Sequence, residues 1–294
     1  MTGAHRAVSA PPRRAPAVGR AVTATPSPCA DAGGGEFTVA EGRVDLWLIR
    51  RPEGPDAALL DTSELDSAER HRAASFIRPA DGLLYAAAHV ALRRLLGRYT
   101  GTPPRDVRFV REPCPGCGRA HGRPALAPRS LHFSLSHSAG LAMVGVASVP
   151  VGVDVERLPR AETVEVCGRA LHPGERAELA DAEGAERILR FGRIWTRKEA
   201  FLKGLGTGLS RPSVLDYLGA DAARHPRGWT VLDVPCAPTH SAAAAVSGPA
   251  PGTVTVRALP GTWLGARGHP AGGTAPHGPP AAPGAPTTDQ KDVT

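Results

Sequence analysis

The chain has 294 residues, 41% of them hydrophobic and 4% aromatic, with a formal net charge of +7. That length holds one large or two small domains, and the positive balance favours acidic partners. Scarce aromatics and the lack of an RRM or helix-turn-helix pattern set nucleic acid aside, and there is no run of eighteen apolar residues to span a membrane.

Residues 1–35 are mostly Ala, Pro, Gly and Arg, and residues 265–294 are again rich in Gly, Pro, Ala and Thr. Both read as disordered tails, because such segments bury too little surface to offset their ordering entropy. The N-terminus also lacks the apolar stretch of a secretory signal. Five cysteines, without the spacing of a disulfide framework, point to a reducing cytoplasm.

Between the tails, residues 44–49 read as a first strand and 67–76 as a helix. Asp81 is a good N-cap for a longer helix, with Leu84, Ala88, Ala91, Leu92, Leu95 and Leu96 on one face. Gly101 and the pair Pro103-Pro104 end it. Strands follow at 107–110, 131–136, 141–147 and 151–156. Pro173 opens another helix at its first turn, and a lysine-bearing helix is expected over 185–204. Strands at 229–234 and 254–259 close the ordered part. Thr239-His240-Ser241 and the alanines after it echo Ser136-His137-Ser138 and its successors, a pattern that duplication or alanine richness alone would produce.

Cys114-Pro115-Gly116-Cys117, followed by His121, offers three ligands of the kind zinc uses. A structural site takes four, and there is no second C-x-x-C, so a loop shaped by Gly and Pro is the other reading.

Three segments carry chemistry. In Leu131-His132-Phe133-Ser134-Leu135-Ser136-His137-Ser138, apolar and polar residues alternate as in a half-buried strand. Its Ser-His-Ser end can donate to an anion or cap a turn. In Val151-Gly152-Val153-Asp154-Val155-Glu156, period two puts both carboxylates on one face. Two such carboxylates raise each other's pKa unless a cation neutralises them, and oxygen ligands of this kind suit Mg²⁺; an acidic edge facing solvent is the alternative. The third is Trp195-Thr196-Arg197-Lys198-Glu199-Ala200-Phe201-Leu202-Lys203. The chain writes arginine 32 times and lysine three times, yet two of those lysines stand here. A compact ammonium suits a phosphate site, and an ordinary charged helix face accounts for the run equally well.

In this order and spacing the three segments, with Gly122-Arg123-Pro124 upstream, resemble the signature of the 4′-phosphopantetheinyl transferases. The resemblance covers about residues 60–260, the length of the Sfp-type. It implies an α/β (α+β) fold of two similar lobes in pseudo-twofold arrangement, with the cofactor cleft between them, divided here at 36–150 and 151–264.

The activity it implies is transfer of the 4′-phosphopantetheine arm of coenzyme A to a serine of an acyl, peptidyl or polyketide carrier protein, as in secondary metabolite biosynthesis. The enzyme would be a cytoplasmic monomer that depends on Mg²⁺. By resemblance, Asp154, Glu156 and Glu199 hold the metal and Glu199 also takes the serine proton. Lys203, four residues from Glu199 on the same helix face, meets the same phosphates, and Lys198 a flanking one. Ser136, His137 and Arg123 contact the nucleotide end of coenzyme A. The sequence departs from the family at Gly82 and Leu84, where basic residues are usual; Arg78, His89 and Arg93 are the candidates to replace them. A catalytically silent homologue that binds coenzyme A or a carrier protein is the alternative this departure suggests.

Overall fold

In the computed structural model, nine strands and six α-helices occupy the described residues, 36–120 and 122–266. The expected tails, apart from Gly265 and Ala266, lie outside the described residues, as does His121. The first sheet is built on β1 (Arg43–Arg50), whose apolar run is buried on both faces. Three helices follow: α1 (Pro55–Ala58), α2 (Ser67–Ala74) and α3 (Pro79–Thr100). The short antiparallel pair β2 (Phe109–Arg111) and β3 (Pro124–Leu126) leads into a hairpin of β4 (His132–Ser138) and β5 (Leu141–Ala147).

The second sheet starts with β6 (Val151–Arg157). Helices α4 (Ala161–Cys167), α5 (Pro173–Ala180) and α6 (Gly184–Leu205) come next. A hairpin of β7 (Trp229–Asp233) and β8 (His240–Ser247) then precedes β9 (Thr253–Ala258). The sheet orders are β4-β5-β1-β9 and β6-β8-β7. One order of elements therefore occurs twice: a strand, helices, and a hairpin whose second strand pairs with the first strand.

Packing follows from the period-two patterns. Val44, Leu46 and Met143 of the first sheet meet Val153, Val155, Ala244 and Val246 of the second in one apolar layer. The outer face of the first sheet, with Trp47, Ile49 and Val144, is covered by Leu84, Ala87, Ala88, Ala91 and Leu95 of α3. Helix α6 lays Ala200 and Phe201 on Ala243 and Ala245 of β8. The order is helix, sheet, sheet, helix, and small alanines let each helix approach its sheet closely.

Strands β4 and β6 are edge strands of different sheets, yet they run side by side. Serine hydroxyls join them. Ser134 Oγ accepts the Val153 N–H at 3.0 Å and Ser138 Oγ accepts that of Arg157 at 3.3 Å. Between these rungs Ser136 Oγ donates to Asp154 Oδ1 at 2.8 Å.

Several expectations need correction. Helix α3 begins at Pro79 with Arg78 at the N-cap position, so Asp81 lies in its first turn; a proline at the first helical position has φ already set and no N–H to satisfy. Residues 36–150 and 151–264 do not separate into two sheets, because β9 pairs in parallel with β1. Beyond it, Arg94, 1% exposed, takes the carbonyls of Trp263 and Gly265 as well as Asp61 and Glu64. The His137–His240 echo is out of step with the topology: His137 is in the first strand of its hairpin and His240 in the second. Around Cys114 and Cys117 the backbone forms a tight turn, with Gly118 N–H donating to the Cys114 carbonyl at 2.8 Å.

The contact that seats α6 on β6 depends on Gly152. A Cβ there would lie 2.0 Å from the Ala200 carbonyl oxygen and 2.3 Å from Gly204 N. Both are backbone atoms and cannot turn away. Gly152→Ala is expected to destabilise the fold by about 3 kcal/mol, at the upper end of overpacking effects. Chemical denaturation measures this; an unchanged midpoint would show that α6 is not seated as described.

Candidate active site

Asp154 projects from β6 toward α6, opposite the face carrying Val153 and Val155. Its side chain is 1% exposed. Lys203 reaches it from the last turn of α6, with Nζ 2.6 Å from Asp154 Oδ1 and 2.9 Å from Ser136 Oγ. Three residues that the sequence places on three elements thus meet at one carboxylate oxygen. The other oxygen, Oδ2, is buried and has no hydrogen-bond partner.

Two further carboxylates sense this charge. Burial, and then the charge of Asp154, push the Glu156 carboxyl above its ordinary pKa, against a hydrogen bond from Ser138. Burial and Asp154 likewise raise Glu199, against the pull of Lys203. Among the described residues no three His, Cys, Asp or Glu side chains stand close enough to enclose a metal ion. The donor set nevertheless fits a hard divalent cation: one buried carboxylate oxygen lacks a partner, and two further carboxyls lie close enough to Asp154 to feel its charge.

Beside this cluster opens a cavity of about 970 Å³, at the upper end of the range for small-molecule and cofactor sites. Arg72, Arg111, Arg123, His89, His137 and Lys203 line it, with Tyr85 and Phe109 supplying aromatic surface. Tyr85 stacks on His89 at 4.0 Å and meets His137 edge-on at 5.9 Å. Burial, followed by the positive potential of His89 and Lys203, lowers the His137 pKa and favours the neutral ring. Arg123 donates to Glu112 Oε2 at 2.7 Å and to the Gly204 carbonyl at 2.9 Å, so it also ties the segment just before β3 to the end of α6.

The structure brings together most of the residues singled out in the sequence. Asp154, Ser136 and Lys203 are in contact, Glu156 and Glu199 lie within electrostatic reach, and Arg123 and His137 share the cavity with Lys203. Lys198 does not join them. Five residues before Lys203, it points from another side of α6, where its side chain is 2% exposed and pairs with Glu175 Oε2 at 2.8 Å. It donates as well to the carbonyls of Ser213 at 2.7 Å and Asp216 at 2.5 Å. Its donors are spent inside the protein, which corrects its expected place at a phosphate.

Of the residues considered to replace the missing basic groups near Gly82, His89 lines the cavity. Arg93 is buried against Glu69, Asp66 and two carbonyls. Gly82 itself is a packing glycine, since a Cβ there would lie 2.3 Å from the Ala73 carbonyl oxygen. Arg72, Arg111 and Tyr85 were not foreseen. A faint signal existed for Arg72, which shares a helical face with Ala68 and Glu69, both of which line the same cavity.

Residues 150–241, which include β6 and α6, match the family model of the 4′-phosphopantetheinyl transferase superfamily. HetI of Nostoc sp., a 4′-phosphopantetheinyl transferase, is 32% identical over 182 residues, 60% of this chain and 73% of its own. A Synechocystis sp. protein provisionally named for the same activity is 32% identical over 173 residues; the match spans 56% of this chain and 65% of that protein, just under two thirds. Sfp of Bacillus subtilis is 26% identical over 145 residues, 49% of this chain and 61% of its own.

A buried ion pair that loses one partner leaves an uncompensated charge, at a cost of about 3–5 kcal/mol. Lys198→Met is expected to lower stability by that amount. Adding Glu175→Gln should recover part of the loss, as read from denaturation midpoints. A stability-neutral Lys198→Met would overturn the buried-pair assignment.

Proposed function

We propose that this chain, which belongs to the 4′-phosphopantetheinyl transferase superfamily, transfers the phosphopantetheine arm of coenzyme A to a serine hydroxyl on an acyl, peptidyl or polyketide carrier protein. The new bond joins the serine oxygen to the phosphorus that bears pantetheine. The bond that breaks joins that phosphorus to the bridging oxygen of the pyrophosphate, and adenosine 3′,5′-bisphosphate leaves. One observation carries the reading: Lys203 both lines the basic cavity and touches Asp154, so a polyanion in the cavity would end against the acidic cluster.

In this reading Arg72, Arg111, Arg123 and His137 bind the phosphates, and Tyr85 and Phe109 offer flat surface to the base. The cavity is lined by residues from 66–137 and from 202–210, which fits two lobes with the cofactor between them. Asp154, Glu156 and Glu199 would hold Mg²⁺, whose chemistry when bound is neutralisation of charge on the pyrophosphate oxygens. Lys203 adds positive charge at the same phosphates, and positioning and charge provide most of the rate in such transfers. Glu199 takes the proton from the incoming serine.

A catalytically silent homologue was suggested by the missing basic residues near Gly82, and Arg72 and Arg111 in the cavity remove most of that motive. We assign the activity to a cytoplasmic monomer; that Lys203, Asp154 and the cavity walls come from one chain supports the monomer.

The test is an incubation of the purified protein with an apo carrier protein, coenzyme A and Mg²⁺, followed by the carrier's intact mass. The expected result is a gain of one phosphopantetheine arm, abolished by chelator and slowed about 10²–10⁴-fold in Glu199→Gln. No gain across several carrier classes, with coenzyme A still bound, would replace the transferase reading with the silent one.

A further inference from the structure

We infer that Lys203 is the built-in counter-cation of the acidic cluster, and that a divalent ion arriving at Asp154 releases its ammonium into the cavity. The inference rests on the transferase reading of this site. The ammonium sits 2.6 Å from Asp154 Oδ1 and 2.9 Å from Ser136 Oγ, where it supplies positive charge to a carboxylate that is otherwise buried beside two others. A divalent ion on the same carboxylate repels the ammonium at contact distance. The ion can enter at the free Oδ2, and repulsion across one carboxylate then favours departure of the ammonium from Oδ1.

The lysine has somewhere to go. Its side chain is 33% exposed, against 1% for Asp154, and it already forms part of the cavity wall with Arg72, Arg111 and Arg123. A flexible four-carbon stem makes that move by side-chain rotation alone. A guanidinium would grip the carboxylate with two parallel bonds and resist release. This gives a physical reason for one of three lysines among 32 arginines to stand here. One residue thus balances the cluster before the metal arrives and adds a positive charge to the cavity afterwards.

Lys198 is the internal control. It lies on the same helix, but Glu175 and two carbonyls hold it away from the cavity, and metal at Asp154 gives it no cause to move.

With only three lysines, protein grown on lysine labelled with ¹³C at Cε gives at most three signals, and the one missing from Lys203→Met is Lys203. Adding Mg²⁺ alone should shift that signal and leave Lys198 in place. By calorimetry without coenzyme A, Lys203→Met should bind Mg²⁺ about tenfold more tightly than the unaltered protein, because the ion no longer displaces a bound charge. Arg72→Met, the same change of net charge in the same cavity, should gain less than about twofold, as expected of a screened and more distant charge. A Lys203 signal unmoved at saturating Mg²⁺, or equal gains in the two variants, would overturn the inference. The two readings fail separately: a protein that modifies its carrier while Lys203 stays still sinks only the release, and one that moves Lys203 but modifies no carrier sinks the transferase.

Discussion

An edge strand presents N–H groups that must find acceptors, and the meeting of β4 with β6 solves this with side chains. Alternate serines of β4 stand where the carbonyls of a neighbouring strand would otherwise be: Ser134 and Ser138 take backbone N–H groups of β6, and Ser136 takes the carboxylate. The spacing of these rungs sets the position of Asp154 relative to His137, and so sets the acidic cluster against the cavity. A ladder of backbone bonds would draw the strands together at a fixed separation of about 4.8 Å. Hydroxyl rungs hold them apart and leave polar groups between the sheets, where a reaction can use them.

The rest of the molecule fixes that seam from outside. Gly152 lets α6 settle on β6, which brings Glu199 and Lys203 level with Asp154. Lys198 and Glu175 lock the other side of the same helix to α5 and to the loop at 213–216. On the first sheet, Arg93 and Arg94 are adjacent residues that clamp in different directions: Arg93 holds α2 and the turn after α3, while Arg94 holds residues 61–64 and the segment after β9. Buried charge in this protein serves mostly to attach elements that apolar packing alone would leave free to slide.

Much of this was legible in the sequence. The alternating valines gave β6 and the face of Asp154, helical spacing gave α3 and α6, and the spacing of Glu199 and Lys203 put both on one line. What stayed hidden depends on partners remote in the chain. Lys198 looks like its neighbour Lys203 in any local window, and only Glu175, Ser213 and Asp216 decide that it is buried. Ser134 reads as the polar face of a half-buried strand and Ser138 as part of the turn that ends it, because period two cannot distinguish solvent from a second sheet edge. Strand β8 is a run of alanines with weak local preference for a strand, and its place between β6 and β7 defines it. Arg72 and Arg111 became cavity residues only once α2 and β2 had been placed.

The return of β9 to the first sheet has a consequence for how the chain is made. Strand β1 is complete by residue 50, but its parallel neighbour is not synthesised until residues 253–258. Until then one edge of β1 stays open, and the carbonyls that Arg94 holds do not yet exist. The whole second sheet is translated in the interval, so it is available to fold before the first can be finished. Pairing over such a sequence separation is slow to form, and the first sheet, although it is first in the chain, cannot close until the last strand has been made.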